Sequence, residues 1–322
     1  MSTLIKKKPK LSREFLKKEY LLSRGRIALL WALRLLKLDK KKKILLPSYI
    51  GISKKEGSGV FDPIRKLGVG YEFYKLNSDL SANLEDFAKK IKQPDIKAAL
   101  VIHYFGFWQK NFDYLLKICR NNKKYLIEDC AQTFNSFYHQ KRLGSYGDIG
   151  FYSIHKFLPT NDGGILLINN DSIKIPENLK DKISHRTLMI LQKSDLEQIS
   201  KVMRENYLYL LKRIKQIKGL RVFYDQFPKG IVPLNFPVLI EKKDRNEIYF
   251  KLLERRIETV SLYYQIIPQI KKEEYPLSYY ISNHILNLPI HQDITKSNIN
   301  TMLKELKNIL KKMKMIKWES TN

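Results

Sequence analysis

The chain has 322 residues, of which 43% are hydrophobic, and carries a formal net charge of +28. This length allows one large α/β domain, or a large domain followed by a small one. Its two cysteines, Cys119 and Cys130, exclude a disulfide-rich scaffold and favour a reducing compartment, so we expect a cytoplasmic protein.

The positive charge suggests an anionic partner, but the lysines are spread along the whole sequence. The sequence has neither a zinc-finger spacing nor an arginine-rich arm, so we expect no specific nucleic-acid binding. The charge instead favours a phosphorylated substrate, and it allows peripheral association with an acidic membrane surface. The apolar run "IALLWAL" near the N-terminus is too short to cross a bilayer.

Apolar segments alternate with amphipathic ones through the first half of the chain. The patterns predict strands at 43–50, 71–77, 98–106, 124–131, 147–154 and 163–170, with helices at 26–37, 83–92 and 111–122. Strands without polar alternation indicate a mixed, mostly parallel sheet covered by helices, which is an α/β fold. Ligands bind such sheets at the carboxyl ends of the strands.

The pattern changes near residue 195. A long helix is predicted at 195–217, then short strands at 219–225 and 232–241, and helices at 244–256 and 294–316. We therefore predict a large domain over residues 1–195 and a small C-terminal α+β domain over residues 196–322.

Two charged residues follow predicted buried strands. Asp129 ends one strand, and a carboxylate there must be paired, either in a structural contact or as the counter-ion of a cationic ligand. Lys156 follows the next strand, where it is either a solvated strand end or a buried amine with a lowered pKa. A carboxylate for a pyridinium nitrogen and an amine for a carbonyl together suit pyridoxal 5'-phosphate (PLP).

A phosphate site is expected with that cofactor. Gly25 precedes the first predicted helix, and backbone N–H groups at a helix start bind phosphate. Ser153 offers a hydroxyl close to Lys156. The histidines, cysteines and acids have no spacing typical of a metal site, so we expect none.

These segments occur in the order found in a known family. "RGRIAL", "LLPSYI", "VIHYFG", "LIEDCAQ" and the lysine before "DGG" resemble the DegT/DnrJ/EryC1/StrS family of PLP-dependent sugar aminotransferases, which have the type I aspartate-aminotransferase fold. The resemblance covers roughly residues 20–310. It implies a homodimer with a nucleotide-sugar substrate and an amino-acid donor.

The resemblance also implies residue roles. Lys156 would bind PLP covalently and then move a proton between cofactor and substrate. Asp129 would pair with the pyridinium nitrogen and Gln132 would hydrogen-bond the phenolic oxygen. Gly25, Arg26 and Ser153 would hold the phosphate.

The sequence departs from the family near the lysine. Ser153 lies closer to Lys156 than the usual serine does, and a slip of one residue would place His155 at the lysine position, as in family members that are dehydratases. The aromatic residue that stacks on the PLP ring is not evident, and Tyr49 and His103 are both candidates.

Two further departures lie downstream. The segment 169–195 is short and lacks the family's Asn-x-Arg loop, and "YYQIIP" replaces a His-Tyr pair, so that Tyr263 and Tyr264 either line the pocket or pack in the core.

The leading interpretation is a transaminase that acts on a nucleotide-linked keto-sugar, with glutamate as donor, in polysaccharide or glycoconjugate biosynthesis. One alternative is a PLP-dependent sugar dehydratase. Another is a non-catalytic relative that serves as a binding or scaffold protein.

Overall fold

The computed structural model describes residues 18–177, 179–241, 243–260 and 262–313. Residues 1–17 and the end of the last predicted helix, 314–316, lie outside these ranges. The strands, numbered in chain order, are β1 (Glu19–Leu22), β2 (Lys43–Pro47), β3 (Tyr71–Tyr74), β4 (Ile96–Ile102), β5 (Tyr125–Asp129), β6 (Phe137–Tyr138), β7 (Lys141–Arg142), β8 (Ile149–Ser153), β9 (Gly164–Ile168), β10 (Leu220–Val222), β11 (Phe236–Ile240) and β12 (Ile285–Leu288).

The helices fall between these strands and after them. They are α1 (Gly25–Leu35), α2 (Phe61–Leu67), α3 (Leu84–Ile91), α4 (Phe112–Asn121), α5 (His185–Lys193), α6 (Leu196–Ile214), α7 (Arg245–Glu254), α8 (Pro276–His284) and α9 (Lys296–Lys312). Short 3-10 turns follow β4, at Tyr104–Gly106, and β8, at Ile154–Lys156.

Seven strands form the main sheet in the order β1-β9-β8-β5-β4-β2-β3. Neighbours from β3 to β8 pair in parallel, and β9 pairs antiparallel with both β8 and β1. The central strands are almost wholly buried because helices cover both faces, which explains their continuous apolar sequences. The prediction of a mixed, mostly parallel α/β sheet is confirmed.

A second sheet belongs to the C-terminal segment. Strands β10, β11 and β12 pair antiparallel, and α9 packs against α6 and α7. Helix α6 begins just after Asp195, whose side chain accepts a hydrogen bond from Gln198 N at 2.9 Å and caps the helix. The domain boundary at 195/196 stays a prediction.

Several element predictions differ from the structure. The predicted strand 98–106 ends at Ile102, because the chain turns into the 3-10 segment, where Phe105 has a left-handed φ of 57°. The sequence patterns did not predict β1, α2, α5, α8, β12 or the β6–β7 hairpin, which are short or lack clear periodicity. Within the described residues, no helix combines the length and apolar character needed to cross a membrane.

Candidate functional site

The carboxyl ends of β5 and β8 and the N-terminus of α1 meet at one cavity of about 580 Å³. This position is the one expected for a ligand in an open α/β sheet. All six residues that the sequence analysis selected line the cavity: Gly25, Arg26, Asp129, Gln132, Ser153 and Lys156. The fold therefore brings together side chains that are far apart in the sequence.

Asp129 is the last residue of β5 and only 4% exposed. Its Oδ1 accepts a hydrogen bond from Ala131 N at 2.9 Å, whereas its Oδ2 has no hydrogen-bond partner in the described part of the chain. Burial raises the pKa of Asp129, and Ala131 N–H, Lys156 and His103 oppose that shift. One carboxylate oxygen, Oδ1, is thus fixed by a hydrogen bond, and the other, Oδ2, is available to a ligand.

Lys156 closes the 3-10 turn after β8 and is only partly exposed. Burial lowers the pKa of its ammonium group, although Asp129 and Glu56 attract the charge and act in the opposite direction. A lowered pKa increases the share of neutral amine, which is the nucleophilic form.

His155 adjoins Lys156 but has a different environment. Its Nδ1 lies 3.1 Å from Ser153 Oγ. Burial lowers the pKa of its imidazolium, and the positive charge of Lys156 adds to that shift. The charges of Asp129 and Lys156 shift each other's pKa. His155 also lines the cavity, so the choice of Lys156 over His155 stays a prediction.

The other end of the cavity is formed by α1. Its N-cap, Arg24, makes no side-chain capping hydrogen bond, and the first two helical residues, Gly25 and Arg26, line the cavity. The positive end of a helix is suited to a phosphate. Arg26 lies beside it, with its Nη1 3.5 Å from Asp62 Oδ2.

The Gly163-Gly164 pair explains how α1 comes so close to the sheet. Gly163 has a left-handed φ of 122°. A Cβ at Gly164 would overlap the carbonyl group of Arg24 and lie 2.6 Å from Gly25 N. Only a residue without a side chain allows β9 to contact the start of α1.

Gln132 and Tyr263 form a third part of the cavity wall. Gln132 Oε1 accepts a hydrogen bond from Phe105 N, and Gln132 Nε2 donates one to Tyr263 Oη, both at 2.8 Å. Tyr263 and Tyr264 both line the cavity, and Tyr263 also packs in the core. The pocket interpretation thus fits both tyrosines, and the core interpretation fits Tyr263 as well.

Neither candidate for the stacking aromatic lines the cavity. Tyr49 is fully buried and stacks on Tyr263 with ring centroids 4.9 Å apart. His103 is also fully buried, and its Nε2 lies 3.2 Å from Glu128 Oε2. Both residues support the cavity wall from behind.

His103, Glu128 and Cys130 place possible ligand atoms within 4.8 Å of one another, as in a metal site. The chemistry of these atoms argues against that use. Nδ1 of His103 accepts a hydrogen bond from Gln109 N, so Nε2 carries the proton and donates to Glu128. Burial raises the pKa of the Cys130 thiol well above its ordinary value, which leaves it a poor ligand.

The mouth of the cavity contains residues that were not predicted from the sequence. The segment 51–57, whose sequence is "GISKKEG", and Arg24 line its entrance, and Arg24, Lys54, Lys55 and Glu56 are exposed there. Glycines on both sides of a short charged run after a strand are the signal that was available. The cations outnumber the acid, which suits an anionic ligand.

Two segments outside the cavity are held by side-chain hydrogen bonds. On α6, the amide Nδ2 of Asn206 donates to the carbonyl oxygens of Ile290, His291 and Ile294, at 3.3, 3.3 and 2.9 Å. The short segment 169–195 contains α5, whose N-cap Ser184 donates from its backbone N to Asp162 Oδ2 at 2.8 Å.

The cavity residues fit PLP as a set. Lys156 offers an amine of lowered pKa, and Asp129 offers a carboxylate oxygen without a partner. The start of α1 offers N–H groups for a phosphate. All six residues line the same cavity in this structure.

Known proteins resemble this chain in sequence and in fold. A family model described as the DegT/DnrJ/EryC1/StrS aminotransferase family matches residues 13–180. The chain is 26% identical over 165 residues to a GDP-perosamine synthase of Vibrio cholerae, which is 50% of this chain and 43% of that protein. It is also 26% identical over 237 residues to a dTDP-3-amino-3,6-dideoxy-alpha-D-galactopyranose transaminase of Aneurinibacillus thermoaerophilus, which is 64% of each.

The chain thus matches less than two thirds of the length of either curated relative. Among solved structures, the aminotransferase TlmJ of Streptoalloteichus hindustanus has a TM-score of 0.77 at 21% identity, covering 91% of this chain and 86% of that one. This likeness confirms the predicted fold.

Proposed function

Because the chain belongs to the DegT/DnrJ/EryC1/StrS aminotransferase family, we propose that it transfers an amino group to a nucleotide-linked keto-sugar. The cofactor of this family is PLP. The proposal includes glutamate as the amino donor and a homodimeric, cytoplasmic enzyme. The observation that carries it is that Lys156 and Asp129 line one cavity, next to the uncapped start of α1.

Bound PLP supplies a carbonyl that reacts with amines and a ring that accepts electrons from the bond being broken. Asp129 supports that role, since its free Oδ2 can pair with a protonated ring nitrogen and keep it charged. This ion pair would also offset the effect of burial, which raises the pKa of Asp129 when no cation is bound.

Lys156 would move the proton between substrate and cofactor. Its Nζ has a lowered pKa, so it would take the proton from the carbon of the amino donor and deliver it to the cofactor, and the reverse transfer would protonate the sugar carbon that receives the amino group. Serving as base and then as acid requires a pKa close to the working pH, and burial moves the pKa of this lysine in that direction.

The charges at the mouth of the cavity support the proposed substrate class. Arg24, Lys54 and Lys55 give the entrance a positive character, with Glu56 as the opposing charge. A nucleoside diphosphate is the anionic part of a nucleotide sugar, and its charge is complementary to this entrance. Two relatives, a GDP-perosamine synthase and a dTDP-aminosugar transaminase, are named for the same class of substrate.

The test is direct. Purified protein mixed with PLP should develop a visible absorbance band, and borohydride should fix the cofactor to the peptide that contains Lys156. Lys156→Ala should abolish both, whereas Lys304→Ala, which changes an exposed lysine on α9, should leave both intact.

Transfer is tested separately, with glutamate and nucleotide-linked keto-sugars as substrates and 2-oxoglutarate as the measured product. A protein that binds no PLP would overturn the proposal. A protein that binds PLP but leaves the amino group on every donor would overturn the transaminase activity and favour the dehydratase.

A further inference from the structure

Tyr263 occupies a position that needs an explanation. It lies in the segment between α7 and α8, in the C-terminal half of the chain, yet lines the cavity formed by the main sheet. Its backbone has a φ of 62°, in the left-handed region that bulky residues avoid. Such strain persists only where the surrounding structure enforces it, and it concentrates at functional sites.

The surroundings of Tyr263 do enforce this conformation. Its carbonyl oxygen accepts hydrogen bonds from Tyr49 Oη at 3.2 Å and Ser282 Oγ at 3.0 Å. Its ring stacks on Tyr49, and the ring of Tyr104 packs edge-on with centroids 5.5 Å apart. The side chain is therefore fixed, with only 8% of the residue exposed.

The hydroxyl group of Tyr263 has an unused donor. Tyr263 Oη accepts a hydrogen bond from Gln132 Nε2, and among the described residues its own hydrogen has no acceptor. Burial, together with the charge of Asp129, raises the pKa of Tyr263, so the hydroxyl stays protonated. Buried O–H groups normally have a hydrogen-bond acceptor, so a ligand in the cavity would supply the acceptor for Tyr263.

We propose that Tyr263 is a catalytic residue that donates a hydrogen bond to the phenolic oxygen of bound PLP. This inference rests on the proposed function. Gln132 orients the Tyr263 hydroxyl through its Nε2 and keeps its second N–H for the same oxygen, while Phe105 N fixes the Gln132 amide from the other end. The phenolic oxygen is negatively charged, so the two donors stabilise its charge.

The expected consequences concern binding and titration. Tyr263→Phe removes the donor with little change in shape, so PLP should bind about 10- to 100-fold more weakly. Without the Tyr263 hydroxyl, the negative phenolic oxygen attracts the proton on the adjacent lysine nitrogen more strongly. That proton is then lost at a higher pH, so the pH midpoint of the visible band should move upward.

The matched control is Tyr104→Phe. Tyr104 belongs to the same aromatic cluster and donates a buried hydrogen bond to Tyr49 O at 2.7 Å, but it does not line the cavity. This variant should lose thermal stability and keep both the PLP affinity and the pH midpoint. Absorbance titration with PLP, at several pH values, measures both quantities without any substrate.

The outcomes separate the two proposals. If the wild-type protein develops no band, the proposed function fails. If the wild-type protein binds PLP and Tyr263→Phe matches it in affinity and midpoint, only the role of Tyr263 is overturned. Equal weakening in Tyr263→Phe and Tyr104→Phe would also overturn that role, because it would show a purely structural effect.

Discussion

His103 Nε2 lies 3.2 Å from Glu128 Oε2 in the core, and neither side chain is exposed. Glu128 also accepts hydrogen bonds from the backbone N of Gly144 and Tyr146 at 2.7 Å and of Gly147 at 2.6 Å. One carboxylate thus ties the end of β4 to the loop before β8. It immediately precedes Asp129, so it fixes the strand end that carries the candidate counter-ion.

Glu128→Gln should therefore destabilise the protein strongly. The new amide group would place its own hydrogens against backbone N–H donors, and leaving buried donors unpaired costs about 3 kcal/mol or more. Urea unfolding of the cofactor-free protein measures this loss. Glu205→Gln, an exposed site on α6, should change stability by less than about 0.5 kcal/mol. Equal stability of the two variants would contradict the role given to Glu128.

Asp129→Asn should have opposite effects in the two states of the protein. Burial raises the pKa of Asp129, so the free protein loses stability as pH rises through that value. The asparagine is uncharged at every pH, so the cofactor-free variant should not lose this stability. At neutral pH it should be more stable than the cofactor-free wild-type protein by about 1 kcal/mol.

With PLP present, the same variant lacks a partner for the ring nitrogen and should bind the cofactor at least about tenfold more weakly. Thermal melting with and without PLP measures both effects, and Asp225→Asn, at an exposed site, is the control. A variant that is less stable in both states would refute the expected reversal.

The lowered pKa of Lys156 predicts a pH profile. The neutral amine is the reactive form, so the rate of PLP capture should rise with pH and reach its midpoint below 10.5, the ordinary value of a lysine. Asp129 attracts the ammonium charge, so Asp129→Asn should lower the midpoint further. Stopped-flow absorbance over a pH series measures the rate, and a midpoint at the ordinary value in both proteins would count against a buried amine.

Gly164→Ala should disturb the phosphate end of the cavity. The new Cβ would overlap the carbonyl group of Arg24, and since both segments belong to rigid elements, the cost should be about 2–3 kcal/mol. PLP affinity should fall as α1 moves away from β9. Gly59→Ala is the control for stability, because a Cβ there meets no atom within 4 Å. Unchanged stability in Gly164→Ala would show that α1 tolerates the shift.

Local sequence patterns predicted six of the seven strands of the main sheet and directed attention to the residues at its edge. Strands β4, β5 and β8 appear as apolar runs because helices cover both faces of the sheet. Parallel strands end at the same edge, so Asp129 and Lys156 could be paired from their positions after two such runs. The roles of all six predicted residues stay predictions, although the fold gathers them at one cavity.

Only the tertiary structure decided the contacts between distant segments. The sequence left Tyr263 divided between pocket and core, and its bond to Gln132 depends on how the C-terminal half packs on the main sheet. It offered His103 as a ring-stacking residue, whereas the fold buries His103 against Glu128. The physical reason is that periodicity and turn residues report the environment within a few neighbours, while a hydrogen bond across the fold depends on the packing of the whole chain.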